Sequence, residues 1–268
     1  MVQHLSYSSL TTWDRCPKQF ELSRIRNAWS APAWYFIGGS AVHKACEDMD
    51  LKRPVLTWEE YFYPLVEEAM QREPDLAGWL AGGARDAPDA GVSWNEIGPR
   101  CIANWQDFTA GDFTPSEVEL DVTCRPIGLY FPIKGFIDRI GHHQKHGDLI
   151  VDLKTGKNAP KDKGLQLGVY AALYEARYGI RINRGAYFMA REGRLTRPVD
   201  LSQYTIEWLV KRFRDTAREI SAGVYPARQD FTCRFCDQRL NCYAESGDTP
   251  RTRYYDSDNP HFVEEIPF

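Results

Sequence analysis

The 268-residue sequence has no apolar run near the roughly 18 residues of a membrane span. Its N-terminus, through Trp13, has no apolar stretch like that of a secretory leader. A soluble cytoplasmic protein is therefore expected. There is no basic excess: 33 Lys and Arg against 37 Asp and Glu give a net charge of -4 and a pI of about 5.9. Any grip on a polyanion must come from where positive charge lies, not from its total. No Gly-x4-Gly-Lys-Ser/Thr occurs, which excludes a self-contained P-loop motor, and no Gly-x-Gly-x-x-Gly follows a strand. Internal repeats and low-complexity tracts are also missing.

What is present is uneven. Residues 47–89 are acid-rich and residues 181–218 are basic, with Arg181, Arg184, Arg191, Arg194, Arg197, Lys211, Arg212, Arg214 and Arg218. Two solvated helix faces would explain this as well as a basic wall for phosphates beside a carboxylate site. Ser8 or Ser9 is expected to cap a helix to Phe20. A second helix spans Ser40–Leu51, and a third, opened by a Thr57–Glu60 capping box, reaches Arg72. A loop is expected over Gly78–Gly91, then a helix over Trp94–Thr109. After Pro115 the periodicity changes to strands: Glu117–Thr123, Tyr130–His142 and Leu149–Lys154, the last with the apolar start of a buried strand. A helix over Gly164–Tyr178, strands at Gly185–Ala190 and Leu195–Val199, and a helix capped by Ser202 to Ala222 follow.

Three features carry chemistry. Gly135-Phe-Ile-Asp138 lies in the second strand, Asp152-Leu-Lys154-Thr-Gly156 ends the third, and Gln166-x-x-x-Tyr170 opens the next helix. Period-2 alternation puts Asp152 and Lys154 on one face. If the two strands form a hairpin, Asp138 comes beside Asp152. Paired carboxylates need a cation, and hard oxygen ligands suit magnesium or manganese. Such an ion with an adjacent lysine is an apparatus for phosphodiester hydrolysis. Each motif alone is weak, since Asp-x-Lys is usually a surface pair; their conjunction is not. His142, His143 and His146 sit in a polar turn and are read as solvated. Tyr187, Phe188 and Trp208 near the basic stretch could stack on bases, though core packing is the commoner role.

Cys233-x2-Cys236-x5-Cys242 forms a metal-ligand cluster short of a fourth ligand. Cys16, followed by Pro17, stands out for that role, whereas Cys46, Cys101 and Cys124 read as small buried residues. Spacing alone admits both zinc and a [4Fe–4S] cluster.

Together these pieces resemble the RecB-like branch of the PD-(D/E)XK nuclease superfamily, and with the cysteines, its iron–sulfur members of the AddB and CRISPR-associated Cas-four type. The resemblance implies an α/β restriction-endonuclease-like core, a central mixed sheet flanked by helices, with an N-terminal helical insertion and a C-terminal iron–sulfur cap. It implies metal binding by His43 (in Gly39-Ser-Ala-Val-His43), Asp138, Asp152 and the Leu153 carbonyl. Lys154 would act on the attacking water, with Gln166 and Tyr170 as positioning groups. Cys16, Cys233, Cys236 and Cys242 would hold the [4Fe–4S] cluster. Glu47 and Glu119 are further acidic candidates. One nuclease domain over 1–268 is expected: an N-terminal segment 1–37, a helical region 38–112, a core 113–222, a cysteine segment 223–243 and an acidic tail 244–268. The expected activity is a magnesium- or manganese-dependent DNA exonuclease preferring single strands or ends, of the Cas-four or phage type. Recombination or CRISPR-adaptation proteins, or further copies of the chain, are the candidate partners. A partner-guided endonuclease, a non-cutting DNA-binding scaffold and a cluster-based redox sensor are the rivals.

Overall fold

The apolar run Leu149-Ile-Val is too regular for a surface strand and too short for a buried helix. In a computed structural model describing residues 3–76, 79–80 and 87–246, it forms the centre of a six-stranded sheet. This strand, β5 (Gly147–Lys154), pairs antiparallel with β4 (Phe136–His143), and β4 pairs antiparallel with the edge strand β2 (Phe113–Asp121). On its other side β5 pairs parallel with β6 (Arg184–Met189), reached through helix α6 (Leu165–Tyr178). Two short strands, β7 (Arg194–Leu195) and β8 (Val199–Asp200), both run antiparallel to β6. The sheet is therefore mixed, as expected, and the polar turn between β4 and β5 closes the hairpin.

Helices cover both faces. Leu149, Val151 and Leu153 of β5 enter one core with α3 (Trp34–Asp50), α4 (Trp58–Arg72) and α5 (Ala87–Gly111). Ile150 enters the other, with α6, α7 (Ile206–Ser221) and the N-terminal α1 (Tyr7–Arg15). Asp152 and Lys154 share the parity of Ile150, so alternation directs them to the α6 side. A separate pair, β1 (Leu5–Ser6) with β3 (Ile133–Lys134), runs parallel and ties the N-terminus beside β4.

Two glycines set the approach of the layers. A Cβ on Gly38 would sit 2.1 Å from the Trp94 ring, so α3 and α5 meet at that point because Gly38 has none. A Cβ on Gly135 would lie 2.8 Å from Leu173, which explains the first position of the Gly-x-x-Asp motif: it lets α6 close on the sheet.

Several boundaries differ from expectation. The α1 cap is Ser6, whose hydroxyl accepts from the Ser9 N–H, and the helix stops at Cys16, which is extended ahead of Pro17. A four-residue helix, α2 (Pro17–Phe20), and a π-turn over Glu21–Ile25 follow. Helix α3 starts at Trp34, six residues before Ser40. The part of the expected Gly78–Gly91 loop from Ala87 onward is helical, and residues 78 and 81–86 lie outside the described set. Thr205, not Ser202, caps α7, while the Thr57–Glu60 capping box of α4 forms in full. Of the acidic tail, residues 247–268 lie outside the described residues.

Candidate active site

Sheet and helices converge at the C-terminal end of β5. The β4–β5 ladder pairs Arg139 with Val151, and one residue beyond it Asp138 bonds across: its Oδ2 accepts from the Leu153 N–H at 2.8 Å. Lys154 Nζ lies 2.6 Å from Asp152 Oδ2 and donates to Gln166 Oε1 at 2.9 Å. Gln166 Nε2 in turn donates to the Tyr170 hydroxyl at 3.1 Å, one helical turn on. From the opposite layer α3 delivers His43, whose Nδ1 is 3.5 Å from Asp138 Oδ2 and 4.0 Å from Glu119 Oε1.

Glu119 reaches this point by an unusual backbone. It has φ of +47°, a left-handed conformation that a non-glycine residue in a strand rarely adopts. The β2 register passes from Val118 opposite Arg139 to Leu120 opposite Ile137, with Glu119 unpaired between them. Arg139 then fixes its carboxylate, donating from Nη1 to Glu119 Oε1 at 3.0 Å. Arg139 is itself buried, ion-paired with Asp50, and its guanidinium lies 5.4 Å from the Trp105 ring centroid. His43, Glu119 and Asp138 thus offer ligand atoms all within 4.8 Å of one another. Asp152 lies outside that tight group, against Lys154.

The charges are mutually dependent. Burial, with the Asp138 charge added, pushes the Asp152 carboxyl up to about 7 from the ordinary 3.8, against the pull of Lys154. Burial alone would lower His43, but the surrounding carboxylates, Asp138 first, outweigh it and raise its pKa. Burial would raise Glu119, yet His43 and Arg139 hold it low. Burial would lower Lys154, but its pairing with Asp152 keeps the ammonium charged. Asp152 Oδ2 has the Lys154 ammonium close by but no well-directed hydrogen bond. A buried carboxylate short of a donor, beside three clustered ligand atoms, fits a divalent cation.

The site opens into a cleft of about 840 Å³ whose walls include His43, Glu47, Glu119, Leu153, Lys154 and Arg191. Glu47 is held by Lys44 (3.2 Å) and Arg53 (2.9 Å), so it does not turn toward His43 as a ligand. Of the basic stretch 181–218, Arg191 is the residue lining the cleft. Arg184 lies at the start of β6, Arg181 bonds Glu175, and Arg212 bonds Asp14. A continuous basic wall is therefore not formed. Tyr187 and Phe188 are buried, and Trp208 packs against the core and Tyr204, so these aromatics are not free to stack on bases. His142 is solvated and bonds Asp148, but His143 is buried beside Phe108.

Sequence reasoning missed Asp162. Its carboxylate accepts from the hydroxyls of Tyr7 and Tyr187, each at 2.9 Å, and from the Gly164 and Gln166 N–H groups at 3.0 Å. It thereby ties the N-terminus, β6 and the start of α6 together behind Gln166. No periodic pattern surrounds it; the only local signal is an Asp shortly before a helix.

The cysteines divide as expected in part. Cys46 and Cys101 are fully buried and Cys124 packs at the core margin. Cys16, Cys233, Cys236 and Cys242 line one pocket of about 260 Å³ between the break after α1 and the C-terminal turns. The Arg228 N–H donates to Cys16 Sγ at 3.4 Å, and burial pushes the Cys236 thiol up to about 12. Among the described residues no three of these sulfurs come within 4.8 Å of one another. Thiolates each about 2.3 Å from one zinc would lie closer together than that.

The family model described as the PD-(D/E)XK nuclease superfamily matches residues 4–243. Two phage proteins are similar over 88% of this chain and 95% of their own lengths: the Gene 69 protein of Mycobacterium phage D29, 29% identical over 270 residues, and the Gene 69 protein of Mycobacterium phage L5, 28% identical over 282. The crystal structure of SSO0001 aligns over 91% of this chain and 88% of that chain, with 11% identity and a TM-score of 0.39. No helix among the described residues is long and apolar enough to cross a membrane.

Proposed function

The chain belongs to the PD-(D/E)XK nuclease superfamily, and from that membership we propose that it is a divalent-metal-dependent deoxyribonuclease acting on single strands or DNA ends. The observation that carries the reading is the meeting of Asp138, Asp152 and Lys154 at the end of β5, with His43 and Glu119 beside them in an open cleft. His43, Asp138 and Asp152, with the Leu153 carbonyl, are the proposed metal ligands, and Glu119 joins them on geometry. Bound there, magnesium or manganese supplies charge neutralisation for the phosphodiester and a more acidic water.

The remaining roles belong to side chains. Lys154 places a fixed positive charge where the pentavalent phosphate gathers negative charge, and Gln166 keeps it from swinging away. Tyr170 holds Gln166, and Asp162 anchors the first turn of that helix. Arg191 and Lys157 are cationic groups of the cleft suited to flanking phosphates.

Digestion of linear and circular single-stranded DNA by wild type and Asp138→Ala, with magnesium, manganese or neither, tests this reading. Metal-dependent loss of linear DNA by wild type alone is expected. Digestion of circular strands would make the enzyme an endonuclease, and no digestion under any condition would overturn the reading.

For the second constellation, the proposal is a [4Fe–4S] cluster on Cys16, Cys233, Cys236 and Cys242. What supports it is the one pocket that Cys16, Cys233, Cys236 and Cys242 line together. Such a crosslink joins segments more than two hundred residues apart and so constrains the unfolded chain. Anaerobically purified protein should be brown, and Cys233→Ser colourless and less stable; a brown, equally stable variant would contradict this ligand set.

A further inference from the structure

Helix α3 carries one exposed stripe: Phe36, Ser40, His43, Lys44 and Glu47 all line the active-site cleft, at helical spacings of four, seven, eight and eleven. Four of these five are polar. Phe36 is the exception, 66% exposed, although Ile37, Ala41, Val42 and Ala45 supply the apolar contacts of the same helix. Its ring lies 4.6 Å from that of Tyr35, tilted by 48°, so the two form a small aromatic platform at the mouth of the site.

Phe36 and Ser40 are also the wall of a second groove, which continues from the cleft across the N-terminal helices. That groove is lined by Arg15, Arg24, Asn27 and Ser30, and also by Asp237 and an Arg72–Glu68 pair. Arg24 donates to Ser8 Oγ at 3.3 Å, a neutral partner that leaves its guanidinium charge available to a phosphate, and Arg15 donates to Gln19 Oε1 at 3.0 Å. Beyond Arg15 and Gln19 lies the cysteine pocket, which shares both residues with the groove.

We propose that Phe36 is a base-stacking post on the path of a single DNA strand. The scissile phosphate lies in the cleft, and the strand continues past Phe36 into the groove of Arg15 and Arg24. An exposed ring between two grooves that mix cationic with apolar side chains suits a polymer that alternates phosphate charge with flat bases; each base has a π-face, so stacking tolerates any sequence. Arg24 supplies charge for the backbone and Asn27 supplies hydrogen bonds. The proposal rests on the nuclease reading and adds a substrate register to it: several nucleotides on one side of the cut are held, not only the scissile linkage.

The test uses the full chain without divalent metal, so that DNA is bound but not cut, and twelve-nucleotide strands carrying one 2-aminopurine at successive positions. Wild type should quench the fluorescence at one defined position. Phe36→Ala should abolish that quench and weaken binding about tenfold, about 1.4 kcal/mol, while Phe36→Trp should retain both. Phe36 is exposed, so the variant keeps its packing, and near-ultraviolet circular dichroism checks this. Arg24→Ala should reduce the salt dependence of binding by about 0.7 in log–log slope. With metal restored, the Phe36→Ala penalty in KM should grow with strand length and exceed that in kcat. Equal affinity of wild type and Phe36→Ala, with cleavage intact, overturns the stacking post alone. Absence of metal-dependent cleavage by wild type overturns the nuclease reading beneath it.

Discussion

Lowering the pH from about 8 to about 6 should weaken manganese binding at the active site by at least tenfold. Asp152 carries the argument: burial and the neighbouring Asp138 lift its carboxyl from 3.8 to about 7. A dication among these carboxylates requires Asp152 ionised, so metal and proton compete. At about pH 6 a group of pKa about 7 is roughly nine-tenths protonated, which costs about 1.4 kcal/mol of binding, or tenfold; at about pH 8 the cost is close to zero. His43, raised from 6.5 by the same carboxylates, acts in the same direction. Lys154, raised from 10.5, stays charged throughout and contributes no slope. The raised pKa also affects stability. A carboxyl whose folded pKa exceeds its unfolded one favours folding at low pH and loses that contribution as pH rises through about 7. The thermal stabilisation given by manganese should therefore be larger at about pH 8. Free manganese measured by electron paramagnetic resonance in a titration at each pH gives the affinities. Calorimetry in two buffers of different ionisation enthalpy gives the protons released. Equal affinity at both pH values with no proton release would refute the reasoning.

Further outcomes follow from the same geometry. Glu119→Gln keeps the side chain's shape but removes a charge from the His43–Glu119–Asp138 group, and should weaken manganese binding roughly 10–100-fold in the same titration. Gly38→Ala should destabilise the protein by about 1–3 kcal/mol in urea unfolding, despite the better helix propensity of alanine, because its Cβ would fall 2.1 Å from the Trp94 ring; a stabilised variant would show that α3 and α5 are not packed as described.

The parts of this fold legible in the sequence were those governed by local period and local chemistry. The apolar start of β5 identified the central strand, and alternation alone placed Asp152 and Lys154 on one face. The Thr57–Glu60 pair marked its helix start because both halves of a capping box lie within one turn. Long-range contacts were not legible. Arg139 reads as a charged residue in a strand, and its burial makes sense only once Asp50, 89 residues away, is beside it. Glu119 was a weak candidate because alternation cannot foresee the left-handed turn that leaves it unpaired between Val118 and Leu120. The N-terminal cap was misplaced because β1 pairs with β3, 128 residues on, and so ends the extended segment at Ser6. The basic stretch left two readings open because charge counted along a chain does not show that Arg184, at the start of β6, and Arg191, just past its end, lie at opposite ends of the sheet.

In the proposed mechanism an ion site and a lysine act on one phosphate, and a single variant separates them. Lys154→Ala leaves His43, Glu119 and Asp138 in place, so it should still bind manganese when the ion is saturating, though more weakly because Asp152 loses its ammonium partner, while losing about 10²-fold or more of the cleavage rate on a single-stranded oligonucleotide, the scale on which one charge-stabilising donor acts. Manganese binding retained with cleavage near the wild-type rate would contradict the account.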